Sequence, residues 1–333
     1  MQLVIGSGGQ PACAAQNASP PRPFTSPTAY LSTLHSLLSY SDFVAFRRSL
    51  SRTPRLERQT VRARGIEFAV FSSPPVSGAP PLLCINGGMI YDHSMLWPAL
   101  SPLAERRQVI LYDLRGRGAS SPPADPLAAS IDDDAADVGA MRRALGIRRW
   151  DVLGHSWGGG IAMLGCARDE AAVRRLVLVD AVGPTSDWMP PLRENVLARL
   201  HGAQREAVES IPESALADPD PELHSRYSRS VYTAWFADPE MAAHFTPPDA
   251  RSETGAAVLS KLRGQGYDWT DRLRAFSAPT LVIHGEADAL PLAVSVDNTY
   301  ILKSARRTVV PSSGHMPFWE APQRFFDLVE SFL

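Results

Sequence analysis

Short runs dominated by apolar residues recur along the chain and set its rhythm: Leu82–Ile85, Val109–Tyr112, Trp150–Leu153, Leu176–Val179, Thr280–Ile283 and Arg307–Val310. Each is too short for a buried helix and rich in leucine or β-branched residues, the pattern of strands buried on both faces. Between them lie helical stretches. Ser130 can cap a helix that carries Asp132, Asp133 and Asp134 in its first turn, where acids suit the dipole, and ends at Leu145-Gly146. Ile161 to Cys166 reads as a buried helix, and Pro322 to Leu333 as a closing amphipathic one. Thr60 to Phe71 alternates like a hairpin that turns at Arg64-Gly65. Strands alternating with helices predict an α/β fold, a mostly parallel sheet covered by helices on both faces.

The rhythm breaks in two places. Residues 1 to about 28 mix Gly, Ser, Ala and Pro, a composition that predicts flexibility, and Tyr30 to Leu50 then follows helical spacing through Leu31, Leu34, Leu37, Leu38, Phe43, Val44 and Phe46. From Gly183 to about Arg272 strands vanish while prolines, acids and aromatics multiply, which predicts a helical insertion. The expected organisation is an N-terminal extension plus added helix (1–57), the first part of the α/β body (58–183), the insertion (184–272) and the second part of the body (273–333).

Composition narrows the class of partner. At 333 residues and 44% hydrophobic, the chain can bury one large core with an insertion. The net charge is −2 and the basic residues are scattered, with Lys261 and Lys303 the only lysines, so no nucleic-acid partner is expected. Cys13, Cys84 and Cys166 form neither a disulfide framework nor a zinc motif. No signal-peptide pattern opens the chain and no run approaches the roughly 18 apolar residues of a membrane span. The expectation is a cytoplasmic protein with a small-molecule substrate, no membrane partner, no cofactor and no metal.

The candidate chemistry centres on Gly154-His-Ser-Trp-Gly158, reached from an apolar strand and followed by a helix. Such a strand, sharp turn and helix would hold Ser156 at the apex, with the helix N-terminus facing an oxyanion formed there. A serine hydroxyl is a weak nucleophile at neutral pH, so it needs a base and a third group to orient that base. Asp288 and His315 follow in the order expected of such an elbow, each just after a strand and so on the same rim as Ser156. Asp180, at the end of the strand after Ser156, is the weaker candidate for the acid. His155 reads as a packed, hydrogen-bonded histidine, and Asp113 and Arg115 as braces of their own loop through backbone hydrogen bonds and an ion pair. The acidic run 132–134 reads as a solvated helix start rather than a metal site. Candidate substrate contacts are Gly87 and Met89 of the glycine loop, His93 after it, and Trp188, Tyr232 and Trp235 of the insertion. A structural role competes for His93, and the insertion's own core competes for its aromatics, Phe236 included.

From about residue 60 onward the sequence resembles the α/β-hydrolase family, in Asn86-Gly87-Gly88, Asp113-x-Arg-Gly-x-Gly-x-Ser120, Gly154-His-Ser-Trp-Gly158, His284-Gly-x-x-Asp288 and Gly314-His315. The resemblance implies Ser156 as nucleophile, His315 as general base and then acid, Asp288 as its orienter, and backbone N–H groups of Gly88 and Trp157 as the oxyanion hole. It also implies that the insertion caps the pocket. Within the family the chain looks most like the proline iminopeptidase branch, although Asn86 stands where many relatives carry histidine. An aminopeptidase must neutralise its substrate's ammonium, and Glu206, Glu209, Glu213, Asp238 and Glu240 are the insertion's available acids. The reading is a metal-free serine hydrolase of a small ester or amide, with prolyl aminopeptidase, a carbon–carbon bond hydrolase and a non-catalytic binding protein as alternatives.

Overall fold

A computed structural model of the chain describes residues 40–50 and 53–333. The stretch expected to be flexible, and the first part of the expected N-terminal helix, lie outside the described residues. Its remainder is a helix, α1 (Tyr40–Ser49), whose Phe43 and Phe46 pack against Trp319 and whose Phe46 also meets Phe326.

Eight strands form one sheet in the order β1-β2-β4-β3-β5-β6-β7-β8. The strands are β1 (Glu57–Ala63), β2 (Ile66–Ser72), β3 (Leu82–Ile85), β4 (Val109–Tyr112), β5 (Trp150–His155), β6 (Val173–Val179), β7 (Thr280–Gly285) and β8 (Ala305–Val310). β1 and β2 are the hairpin, and its tight turn places Arg64 and Gly65 at φ 48° and 75°. β2 pairs antiparallel with β4, and every pairing from β4 to β8 is parallel.

The buried strands feed two cores because alternate residues face opposite sides of the sheet. Leu83, Ile85, Val152 and Leu178 join one core with α2 (Ile131–Ala144) and α3 (Trp157–Arg168); Leu82, Cys84, Leu153 and Val179 join the other with Phe325 and Val329. At about 25 cal/mol per Å² of apolar surface removed from water, these two layers supply the main drive to fold.

Between β6 and β7 lie α4 (Met189–Arg199), α5 (Gly202–Glu209), α6 (Pro221–Ser230), α7 (Pro239–Ala242), α8 (Glu253–Gln265) and α9 (Thr270–Leu273). The first half has its own core around Val196, Leu200, Val208, Ile211, Leu216 and Tyr227. The second half does not: Val258, Leu259 and Leu262 of α8 belong to the core of the body. Helix α8 is therefore fixed to the same scaffold as β5.

Candidate active site

Strand β5 delivers the chain into a turn that ends at the first residue of α3. Ser156 sits there at φ 55°, ψ −124°, a conformation that an L-residue adopts only when its surroundings hold it. The holding groups are visible: its N–H donates to the Val179 carbonyl (3.0 Å), and its own carbonyl accepts from Gly159 (2.9 Å) and Val182 (3.2 Å). The glycines around it are steric necessities. A Cβ at Gly158 would collide with the carbonyl oxygens of Ile85 and Asn86, and one at Gly87 would lie 2.5 Å from the Cβ of Ser156. Among the backbone hydrogen bonds that fix the two turns, none uses the amide of Gly88 or of Trp157.

His315 and Asp288 come to this rim on the loops after β8 and β7. The His315 Nδ1–H donates to Asp288 Oδ2 at 2.7 Å, while Asp288 Oδ1 accepts from the Leu290 N–H at 2.9 Å. Burial works against a charge on Asp288. The adjacent His315 ring, its hydrogen bond, His284 and the Leu290 amide outweigh that and hold the carboxyl below its ordinary range. An ionised Asp288 keeps the proton of His315 on Nδ1 and leaves Nε2 with a lone pair. Ser156 and His315 line the same cavity, of about 770 Å³ including its mouth.

Asp180 is not the partner of the histidine. It lies behind Asp288, fully buried, and its Oδ1 accepts from the Gly285 N–H at 2.7 Å. Burial first, and then the charge of Asp288, push its pKa well above its ordinary value.

Two contacts tie the histidine's loop to its surroundings. The His315 N–H donates to the Trp235 carbonyl (2.7 Å), and the carboxyl oxygens of Glu320 accept from the Ala237 N–H (2.6 Å) and the Gly314 N–H (2.8 Å). On the elbow side, the His155 Nε2–H donates to the His315 carbonyl at 2.9 Å. Burial, and then the neighbouring His315, lower the pKa of His155 to about 3. An unfolded chain takes up this proton below about pH 6.5, whereas the folded one resists it down to about 3, so stability is full above 6.5 and falls as the pH drops. At pH 5 the loss from this residue is about 2 kcal/mol relative to pH 7.5. Urea midpoints should therefore fall more steeply between pH 7.5 and 5 in the wild type than in His155→Gln; parallel profiles would refute this.

Of the expected substrate contacts, Gly87, Trp188, Tyr232 and Trp235 line the cavity, together with Gly88 and Trp157. Met89 and His93 do not. Met89, at φ 43°, turns its carbonyl to Arg117 Nε (2.8 Å) and its side chain into the core of the body. His93 is drawn aside by Asp113, whose Oδ1 accepts from both its N–H (3.0 Å) and its Nδ1–H (2.7 Å), and its ring stacks on Phe71. Phe236 packs in the core.

Asp113 also accepts from the Ala119 N–H (2.8 Å) and so braces its own loop, but Arg115 reaches Asp137 on α2 instead (2.6 and 2.7 Å). The acidic run corrects a second expectation. Asp132 is solvated, whereas Asp134 is fully buried against Arg117 (2.9 and 3.0 Å). Asn86 Nδ2 donates to the carbonyls of Gly87 (3.0 Å) and Tyr91 (3.2 Å) and so pins the glycine loop. Sequence reasoning missed Tyr91, Tyr227, Ser228, Leu259 and Arg263 on the cavity wall.

The sheet order, the elbow at the carboxyl end of β5 and the acid and histidine on the neighbouring loops define an α/β-hydrolase fold. Residues 80–322 match the family model described as alpha/beta hydrolase fold, and the chain belongs to that family. It stands near the proline iminopeptidase branch: the proline iminopeptidase of Lactobacillus delbrueckii subsp. lactis is 28% identical over 277 residues, covering 76% of this chain and 90% of that protein. The crystal structure of a membrane phospholipase A, a bacterial virulence factor, superposes with a TM-score of 0.65 at 22% identity, over 92% of this chain and 94% of that one. A proline iminopeptidase of Mycobacterium smegmatis gives 0.60 at 23% identity, over 83% and 97%. The protein is a hydrolase. No helix among the described residues is long and apolar enough to cross a membrane.

Proposed function

We propose that this hydrolase is a metal-free serine hydrolase that cleaves a small ester or amide through an acyl-enzyme. Ser156 Oγ attacks the substrate carbonyl while His315 Nε2 takes its proton, and Asp288 holds the ring and stabilises the imidazolium. The N–H groups of Gly88 and Trp157 receive the oxyanion, each such donor being typically worth about 3 kcal/mol in the transition state. Collapse breaks the bond to the leaving group, which takes the proton back from His315. Water then attacks the acyl-enzyme with His315 again as base, releasing the acid and Ser156. The insertion over the cavity excludes bulk water and selects the substrate.

The observation that carries this reading is the 2.7 Å hydrogen bond between His315 Nδ1 and Asp288, on a ring that shares its cavity with the strained Ser156. Likeness to proline iminopeptidases favours a second reading, prolyl aminopeptidase. The cavity wall argues against it: among the described residues that line it there is no aspartate or glutamate to meet an ammonium group. Glu206, Glu209, Glu213 and Glu240 are exposed, and Asp238 caps α7 through the Glu240 N–H.

The test pairs a fluorophosphonate probe with two substrates. Expected are labelling at Ser156, turnover of p-nitrophenyl butyrate, and no comparable turnover of proline β-naphthylamide. Turnover of the naphthylamide within tenfold of the ester would restore the peptidase reading. Folded protein that takes no label and cleaves neither substrate would remove the acyl-enzyme.

A further inference from the structure

The cavity that holds Ser156 and His315 has one permanent charge on its wall among the described residues, and that charge is positive. It belongs to Arg263, on α8. The flanking Val258, Leu259 and Leu262 seat this helix in the core of the body, so the arginine's backbone is fixed to the scaffold that carries Ser156. Its guanidinium carbon stands 5.0 Å from the centre of the Tyr227 ring, a cation–π contact that holds the charged plane against an aromatic wall.

Buried arginines described above have carboxylate partners: Arg115 with Asp137, Arg117 with Asp134. Arg263, half-buried, has none within 4.0 Å among the described residues. Glu213, an acid whose charge reaches it, is exposed. Its surroundings disfavour the bare cation, and burial lowers its pKa from the ordinary guanidinium range. On the wall of the same cavity the Tyr91 hydroxyl is buried without a hydrogen-bond partner, and the Ser228 side chain lines it too.

We propose that Arg263 receives a carboxylate carried by the substrate, so that this hydrolase acts on anionic esters or amides. The inference rests on the reading of Ser156 as the nucleophile of the same cavity. A planar guanidinium presents parallel N–H groups that match the two oxygens of a carboxylate. Charge balance selects a carboxylate over a phosphate, because one cation offsets one negative charge and no lysine or second arginine lines the wall to offset another. A substrate held this way arrives with its orientation set before Ser156 reacts. The same positive charge would repel the ammonium of an aminopeptidase substrate.

The experiment compares matched pairs: mono-p-nitrophenyl glutarate against p-nitrophenyl valerate for a carboxylate on the acyl side, and the butyrate ester of 4-hydroxybenzoate against phenyl butyrate for one on the leaving side. In the wild type the ratio of kcat/KM, anionic over neutral, should exceed 10 for one pair. In Arg263→Met that ratio should fall at least tenfold, chiefly through KM, and Arg263→Lys should restore part of it; Arg263→Gln replaces the methionine variant if that one does not fold. A wild-type ratio of one or less for both pairs, or a ratio unchanged in Arg263→Met, overturns the proposal even if Ser156 is acylated. If Ser156 takes no label and no ester is cleaved, the nucleophile reading fails separately. Calorimetry with glutarate then decides the anion site: binding at least tenfold weaker in Arg263→Met supports it, and equal affinity overturns it.

Discussion

Ser156→Ala is expected to lower kcat/KM toward a p-nitrophenyl ester by about 10⁶-fold, to near the uncatalysed background plus what the oxyanion donors alone supply. The substitution removes only the hydroxyl oxygen. The backbone bonds that hold position 156 at φ 55° run from Val179, Gly159 and Val182 and do not involve the side chain. Secondary structure and urea midpoint should therefore match the wild type, and the loss should fall on chemistry. The informative control is Ser156→Ala combined with His315→Ala. If the two side chains act as one unit, the double variant should lose little more than either single one. Losses that multiply would mean that they do not share a step, and a Ser156→Ala enzyme within tenfold of wild type would remove the serine from the mechanism.

Asp288→Asn should cost about 10⁴-fold in kcat while leaving the fold intact. An asparagine offers Nδ2–H where the ring of His315 now donates to a carboxylate at 2.7 Å, so the ring is driven toward the tautomer with its proton on Nε2 and loses the Nε2 lone pair that the proposed mechanism requires. Asp180→Asn is the matched comparison. Burial and the charge of Asp288 disfavour a charge on Asp180, and an asparagine keeps the oxygen that accepts from Gly285, so this variant should stay within tenfold of wild type. Steady-state kinetics of the pair separates the two acids. Equal losses would show that the carboxyl groups hold the histidine jointly.

The elbow was legible because several independent constraints coincide there. The apolar run Trp150–Leu153, glycines where a Cβ would strike backbone, and a helix beginning at once leave little else for Ser156 to be. Asp288 and His315 were legible because strand ends in a parallel sheet share one rim, which turns chain order into spatial proximity. The acidic run was misread as one face. Successive helical residues point about 100° apart, so Asp132 reaches solvent while Asp134, two residues on, is buried against Arg117. Arg263 gave no signal of its own. The pattern Ala256-Ala257-Val258-Leu259 predicts a helix, but its tertiary packing decides whether an arginine four residues later meets water or a cavity. His93 misled for the complementary reason: closeness in sequence to the glycine loop counted for less than Asp113 across the turn.

The junction where Glu320 grips the amides of Ala237 and Gly314, and where Trp235 accepts from the His315 amide, has a mechanical consequence. Lifting the insertion at this corner would pull on the loop that carries His315. An insertion that hinges about this junction would leave the imidazole where it stands, whereas one that parts here would carry it along.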